Sequence, residues 1–132
     1  MDVLTDKNIG TMELIESIEK GLSFSTFERI VKDYHFGIQD LATAIGISQR
    51  TLTRRKAEKK LTISESDRLV SVARLLSQAS ELFENDKEKT LHWLNSTNRG
   101  LGGRTPLQMA QTETGLREVE NLIGRLENGV FS

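Results

Sequence analysis

The stretch from Trp93 to Gly115, WLNSTNRGLGGRTPLQMAQTETG, most narrows what this chain can fold into. It holds the only tryptophan and the only proline, with a glycine-rich corner between them. Gly100, Gly102 and Gly103 allow the backbone to take positive φ or to approach another segment closely. Thr105 has the character of an N-cap, Pro106 suits the first helical position, and Gln108 follows Thr105 by three residues, as in a capping box. The helix started there is predicted to stop near Gln111 or Thr112, with Gly115 as its terminator. Taken alone, such a corner is a scaffold.

The rest of the chain reads as helix. No stretch of the 132 residues shows sustained β-branched alternation, and proline and aromatics are few. Hydrophobic residues make up 36%, enough for a packed core, and no run approaches the ~20 apolar residues of a membrane span. The beginning MDVLTDKNIG lacks a charged-then-apolar signal pattern. Without cysteine there is no disulfide, thiol chemistry or cysteine zinc site. These features predict an all-α, cytoplasmic protein.

Residues 1–11 show no period and are expected to be disordered. From Met12 the spacing of Ile15, Ile18 and Leu22 predicts a short helix ended or kinked by Gly21. Ser25 to Glu28 has capping-box spacing, and Phe27, Ile30, Val31 and Tyr34 follow at helical intervals. Ile38, Leu41, Ala42 and Ile45 then form an apolar face, Gly46 breaks it, and Ser48 opens a helix holding Leu52. This spacing fits a helix-turn-helix: Ala42 permits a close crossing, Gly46 takes the positive φ of the turn, Ile47 plugs the angle and Leu52 anchors the second helix. A plain helical corner has the same pattern.

Charge separates the two readings. The net charge of −1 argues against a general nucleic-acid binder, but residues 48–60 carry six basic groups against Glu58 alone. The flanks are mildly acidic. A run of charge is usually a solvated face; this one lacks acidic partners at helical spacing. Gln49, Arg50, Thr51 and Thr53, near the helix start, are side chains suited to base edges. Arg54, Arg55, Lys56, Lys59 and Lys60 are suited to phosphates.

Leu61 to Asp67 is a link in which Ser64 to Asp67 marks a helix start. Leu69, Val72, Ala73, Leu76, Ala79, Leu82 and Phe83 form the longest apolar stripe of the chain, read as core. Arg68 has Glu65 and Asp67 nearby as pairing candidates. Glu84 to Lys89 reads as a charged turn before a short helix with Leu91 and Leu94. His92, beside Trp93, is expected to be partly buried and structural. Val119, Leu122, Ile123 and Leu126 share one face of a last helix, with Glu118, Glu120 and Arg125 on the other. Gly129 ends it, leaving Val130, Phe131 and Ser132 as an apolar tail. No metal set, nucleophile elbow or dinucleotide-binding βαβ pattern is present, and an enzyme is not expected.

These motifs together resemble the Xre/MbcA/ParS-type antitoxins. The C-terminal hallmarks of that family are a WL pair, an LGG-x-TPL corner and a later T-x-x-G. They are met by Trp93-Leu94, by Leu101-Gly102-Gly103 with Thr105-Pro106-Leu107, and by Thr112 with Gly115. Ser48 to Arg55 matches a small residue followed by R-T-L-x-R-R, and Leu61 to Leu69 matches L-x-x-x-E-S-D-R-L. One departure is that Ser96-Thr97 stand where the family usually has a proline. The resemblance implies an Xre-like helix-turn-helix over 12–66, joined by a long amphipathic helix to a small toxin-binding domain over 67–132. It implies a cognate toxin, most often a RES-domain type that degrades NAD⁺. The C-terminal region would plug the toxin's active site, with Arg104, Glu118, Arg125, Gly129, Val130, Phe131 and Ser132 as contacts. Trp93, Gly102, Gly103, Thr105 and Pro106 would form the structural corner. The family also implies homodimers on palindromic operator DNA, and neither membrane, metal nor cofactor. The rivals are a stand-alone repressor with a helical dimerisation domain and a partner-binding module whose degenerate helix-turn-helix binds no DNA.

Overall fold

A computed structural model describes residues 10–129. Among them are eight α-helices and one 3-10 turn, with no strand. The helices are α1 (Thr11–Lys20), α2 (Phe24–Asp33), α3 (Ile38–Ala44), α4 (Gln49–Glu58), α5 (Ile63–Leu82), α6 (Lys87–Leu94), α7 (Pro106–Met109) and α8 (Glu113–Glu127), and the 3-10 turn is Arg99–Leu101. The all-α expectation holds. Two compact units divide within α5, one reaching Ala73 and the other starting at Arg74. The boundary expected from the sequence, between 66 and 67, falls closer to the start of that helix.

In the first unit the core includes Leu22, Phe24, Phe27, Ile30, Phe36, Leu41, Ala42, Ile45, Leu52 and Leu61, with Leu69 and Val72 from α5. Phe24 stacks on Phe27 with centroids 5.3 Å apart. Helix α2 starts two residues earlier than the Ser25 capping pattern implies. Phe24 is buried and its amide donates to the Lys59 carbonyl at 3.1 Å, which draws the helix start back to Ser23. Gly21 caps α1 at φ 82°, and a Cβ there would lie 2.5 Å from the Leu61 carbonyl oxygen. Of the face expected from Ile15, Ile18 and Leu22, only Leu22 is buried; α1 buries no residue, and Ile15 is exposed. Ile38, at the first position of α3, is likewise exposed, while Leu41, Ala42 and Ile45 are buried.

The turn after α3 matches the helix-turn-helix expectation. Gly46 has φ 80°, and the Ile47 amide donates to the Ala42 carbonyl at 3.0 Å. Ser48 caps α4 by accepting from the Thr51 amide at 3.2 Å.

In the second unit Leu75, Leu76, Ala79, Leu94, Leu101, Pro106, Ala110, Leu116, Val119, Leu122 and Ile123 are buried. The charged turn is shorter than expected, because Asp86 caps α6 by accepting from the Lys89 amide at 3.0 Å. His92 is exposed rather than partly buried as a structural residue. The capping box at Thr105 and Gln108 is formed in both directions, at 3.1 and 2.9 Å, with Pro106 in the first turn.

Gly115 does not terminate α7. That helix ends at Met109, and Thr112 then caps α8 by accepting from the Gly115 amide at 3.0 Å. Gly115 therefore sits in the first turn of the next helix. A Cβ there would meet the Met109 carbonyl oxygen at 1.9 Å, so glycine is needed for a close approach rather than for a turn. Replacing it with alanine must separate α7 from α8, at a cost of about 1–3 kcal/mol. Gly124 is the control: it lies inside the same helix, and a methyl group added there would meet no atom within 4 Å. Gly124→Ala is expected to stabilise by about 0.5–1 kcal/mol, and urea unfolding of the two variants reads the opposite signs.

Candidate functional site

Helix α4 is amphipathic in an unusual sense, with one buried anchor and a cationic remainder. Leu52 points into the core. Arg50, Thr53, Arg54 and Ala57, spaced i, i+3, i+4 and i+7, share the opposite side and are all exposed. Gln49, Lys56, Lys59 and Lys60 are also exposed, whereas Thr51 is half-buried. The Thr53 hydroxyl donates to the Gln49 carbonyl at 3.1 Å, leaving its acceptor lone pairs outward.

Arg55 differs from its neighbours. Its Nε donates to Glu65 Oε1 at 2.7 Å and its Nη1 to Glu58 Oε1 at 2.9 Å, with only 14% of the side chain exposed. The one acid of the basic island is thus engaged by the one arginine that faces the domain. Arg50, Arg54, Lys56, Lys59 and Lys60 make no ion pair with any described residue. A patch of five exposed cations is left on and just after α4.

Glu65 is the anchor of this arrangement. The same Oε1 accepts from the Thr62 amide at 2.9 Å, and the Glu65 amide donates to the Thr62 hydroxyl at 3.1 Å. This is a reciprocal capping box. It starts α5 at Ile63, ahead of the start expected at Ser64–Asp67. Thr62-x-x-Glu65 carries the right spacing, so the signal was present in the chain. Burial pushes the Glu65 carboxyl up, but the Arg55 guanidinium and the Thr62 amide and hydroxyl outweigh it and hold the group below its ordinary range. The hydrogen bonds to Glu65 and then Glu58 raise the Arg55 pKa.

The next residues of α5 continue the clasp. The fully buried Ser66 hydroxyl donates to the Thr62 carbonyl at 2.7 Å and accepts from the Leu22 amide at 2.8 Å. Arg68 reaches across to donate to the Ala44 carbonyl, the last of α3, at 3.0 Å. The chain's E-S-D-R sequence is therefore a structural device. Its side chains hold the end of α4, the entry to α2 and the end of α3.

In the second unit the corner is organised by Asn98, the N-cap of the 3-10 turn, whose spacing to Gly100 is that of an Asx-turn and is the signal the sequence carries for it. Its side chain accepts from the Gly100 amide at 2.8 Å, its carbonyl takes the Leu101 and Gly103 amides at 3.0 Å, and its own amide donates to the Arg104 carbonyl at 3.0 Å. Gly102 and Gly103 have φ of 66° and 83°. Gly100 serves packing instead, its Cα lying under Asn98 and Leu122. Trp93 stands outside this network. It is half-buried and tilted against Phe83, with centroids 6.0 Å apart, and the two rings floor a surface cleft of about 490 Å³ rimmed by Glu88, Lys89, His92 and Ser96.

Arg104 is exposed beside the corner. Glu118 and Arg125 lie one above the other on the flank of α8, Glu118 exposed and Arg125 half-buried, and Gly129 follows the helix at φ 68°. Glu120, on another side, faces Arg74 at 3.9 Å. Val130, Phe131 and Ser132, like residues 1–9, lie outside the described residues. Among the described residues no cluster of three or more His, Asp or Glu could hold a metal, and no helix is long and apolar enough to cross a membrane.

Two family models match the chain along this division. The antitoxin Xre-like helix-turn-helix domain covers residues 13–74, and the antitoxin Xre/MbcA/ParS C-terminal toxin-binding domain covers 78–129. Antitoxin Xre of Yersinia enterocolitica is 39% identical over 120 residues, spanning 90% of this chain and 81% of its own. The chain belongs to the Xre/MbcA/ParS antitoxin family. Antitoxin Xre of Photorhabdus laumondii is 38% identical over 116 residues, 87% of this chain and 78% of its own. A more distant relative, the Prs ADP-ribosylating antitoxin of a Sphingobium species, is 24% identical over 130 residues, 92% of this chain and 82% of its own. The protein is an antitoxin of a toxin–antitoxin system, built on a helix-turn-helix and a toxin-binding domain.

The depressed Glu65 carboxyl sets a pH dependence for this antitoxin. A carboxylate with a lowered folded-state pKa contributes stability above its unfolded value, here about 4.5, and loses it as pH falls through the folded value. The stability difference between the wild type and Glu65→Gln is expected to be full near neutrality and to shrink below about pH 4.5. Denaturant titrations at a series of pH values check it; a difference that is constant across the acid range would show that the carboxylate is not ionically engaged.

Proposed function

We propose that this antitoxin neutralises an NAD⁺-consuming toxin of the RES-domain type by direct binding, and represses its own operon from the cytoplasm as a homodimer on palindromic operator DNA. The work divides with the two units. The unit reaching Ala73 binds DNA, and the unit from Arg74 binds the toxin.

The DNA half rests on the five exposed cations of the α4 region, unpaired among the described residues, beside Gln49 and Thr53. A segment carrying five like charges without internal partners is poised to release counterions from a phosphate backbone. In this reading Gln49, Arg50 and Thr53 meet base edges from the first turns of the helix, with the half-buried Thr51 at their margin and Arg54, Lys56, Lys59 and Lys60 on phosphates. In a dimer, two such helices about one DNA turn (~34–36 Å) apart would meet successive major grooves.

The toxin half rests on the C-terminal domain match and on positions in and around α8, of which Arg104, Glu118 and Gly129 are exposed and Arg125 is half-buried. Arg104, Glu118, Arg125 and Gly129, with Val130, Phe131 and Ser132 beyond, form the proposed contact that occludes the toxin's NAD⁺ entrance. The Sphingobium relative's name refers to ADP-ribosylation, a reaction whose donor is NAD⁺, which fits a toxin that consumes this cofactor.

Arg50→Ala combined with Arg54→Ala is expected to abolish retardation of the operon's upstream DNA while leaving toxin neutralisation intact. A folded double variant that loses both activities would refute the division of labour. Deleting Val130–Ser132 is expected to weaken neutralisation and to spare DNA binding. Co-expression with the neighbouring open reading frame tests the toxin's class. A co-purifying partner and an NAD⁺ pool that collapses only without the antitoxin support it; a toxic partner that leaves NAD⁺ unchanged removes the NAD⁺-consuming assignment.

A further inference from the structure

We propose that Arg55 and Glu65 are a positioning pair that sets the angle of α4 for specific DNA, and that Arg55 makes no phosphate contact of its own. The inference rests on the DNA-binding reading above and deepens it.

The geometry separates Arg55 from the other cations in three ways. It lies three residues from the buried Leu52, away from the side shared by Arg50, Thr53 and Arg54. Its Nε and one Nη are already bonded to carboxylates at 2.7 and 2.9 Å. The carboxylate it meets first is not a mobile surface acid, because Glu65 has 11% side-chain exposure and is fixed by the Thr62 capping box. The pair is therefore a strut of two rigid ends, one near the C-terminus of α4 and one in the first turn of α5. Arg68 to the Ala44 carbonyl is the matching strut to α3. Both helices of the helix-turn-helix are held from the first turns of α5, and only their relative angle lets Arg50 and Gln49 meet base edges together.

The alternative is that Arg55 is a phosphate ligand stored on Glu65. The two readings differ in sign. Replacing Glu65 with glutamine removes a negative charge at almost no change of shape. A stored ligand would be released, and binding to every DNA would tighten. A strut would be broken, and only recognition that depends on helix angle would weaken.

The test is fluorescence anisotropy with two duplexes of equal length, the operon's own upstream sequence and a scrambled one, over a series of salt concentrations. Far-UV circular dichroism and thermal melts check that each variant is folded at the assay temperature. Glu65→Gln and Arg55→Gln are each expected to weaken upstream-duplex binding about tenfold, to leave scrambled-duplex binding within about twofold and to keep the salt slope. The double variant is expected to be no weaker than either single one, since the two residues act as one unit. Arg55→Lys keeps the charge but loses the planar fork, and it is expected to behave like Arg55→Gln. Arg54→Ala, by contrast, is expected to weaken both duplexes and lower the salt slope by about 1. Tighter binding by Glu65→Gln, or near-wild-type binding by Arg55→Lys with a lowered slope in Arg55→Gln, overturns the proposal. If the wild-type antitoxin binds neither duplex, the DNA-binding reading itself fails and the proposal goes with it.

Discussion

The first unit depends on a single carboxylate oxygen, Glu65 Oε1, which accepts from both the Arg55 guanidinium and the Thr62 amide. An N-cap contributes about 1 kcal/mol, and hydrogen bonds to charged groups about 1.5–3 kcal/mol each. The separate contributions matter less than their shared location. The oxygen that starts α5 also ties α5 to the end of α4, so the start of the long helix and the placing of its neighbour share one acceptor. Ser66 and Arg68 repeat the device within the next three residues, using a buried hydroxyl for the Leu22 amide and a guanidinium for the Ala44 carbonyl. Each satisfies a backbone group at an element boundary, where the regular ladder leaves donors and acceptors open.

The same pairing shapes the electrostatics. Besides whatever it contributes to stability, an ion pair decides which charges remain available to solvent or ligand. Here one arginine gathers two carboxylates, and the five other cations stay unmatched among the described residues. Net charge hides this: a total of −1 is compatible with a strongly positive helix because the compensating acids lie elsewhere in the chain.

The second unit relies on close backbone approach instead of charge. Asn98 gathers the amides of the glycine corner, the Thr105–Gln108 box opens α7, and the bare Gly115 lets α8 begin against the Met109 carbonyl. Three short elements are thereby turned within a few residues of one another, and exposed positions such as Arg104 are presented next to that rigid corner. Trp93 contributes beside the corner, on Phe83, and not within it.

The amino-acid sequence by itself determined the helical class, the helix-turn-helix centred on Gly46, the capping box at Thr105 and the basic island after Ser48. Each depends on residues within about four positions of one another, the range over which helical periodicity and capping act. Tertiary structure alone decided that Arg55 is engaged while the island's other cations have no ion-pair partner among the described residues, because Glu65 reaches Arg55 from another helix. It also decided that Gly115 opens a helix instead of closing one, since the reason is the Met109 carbonyl packed against its Cα. Ile38 and Ile15 have the right period to be core and are nonetheless exposed, because periodicity specifies a face and only packing supplies something to cover it. Local rules act along the chain. Which atoms meet across it is fixed by the folded backbone.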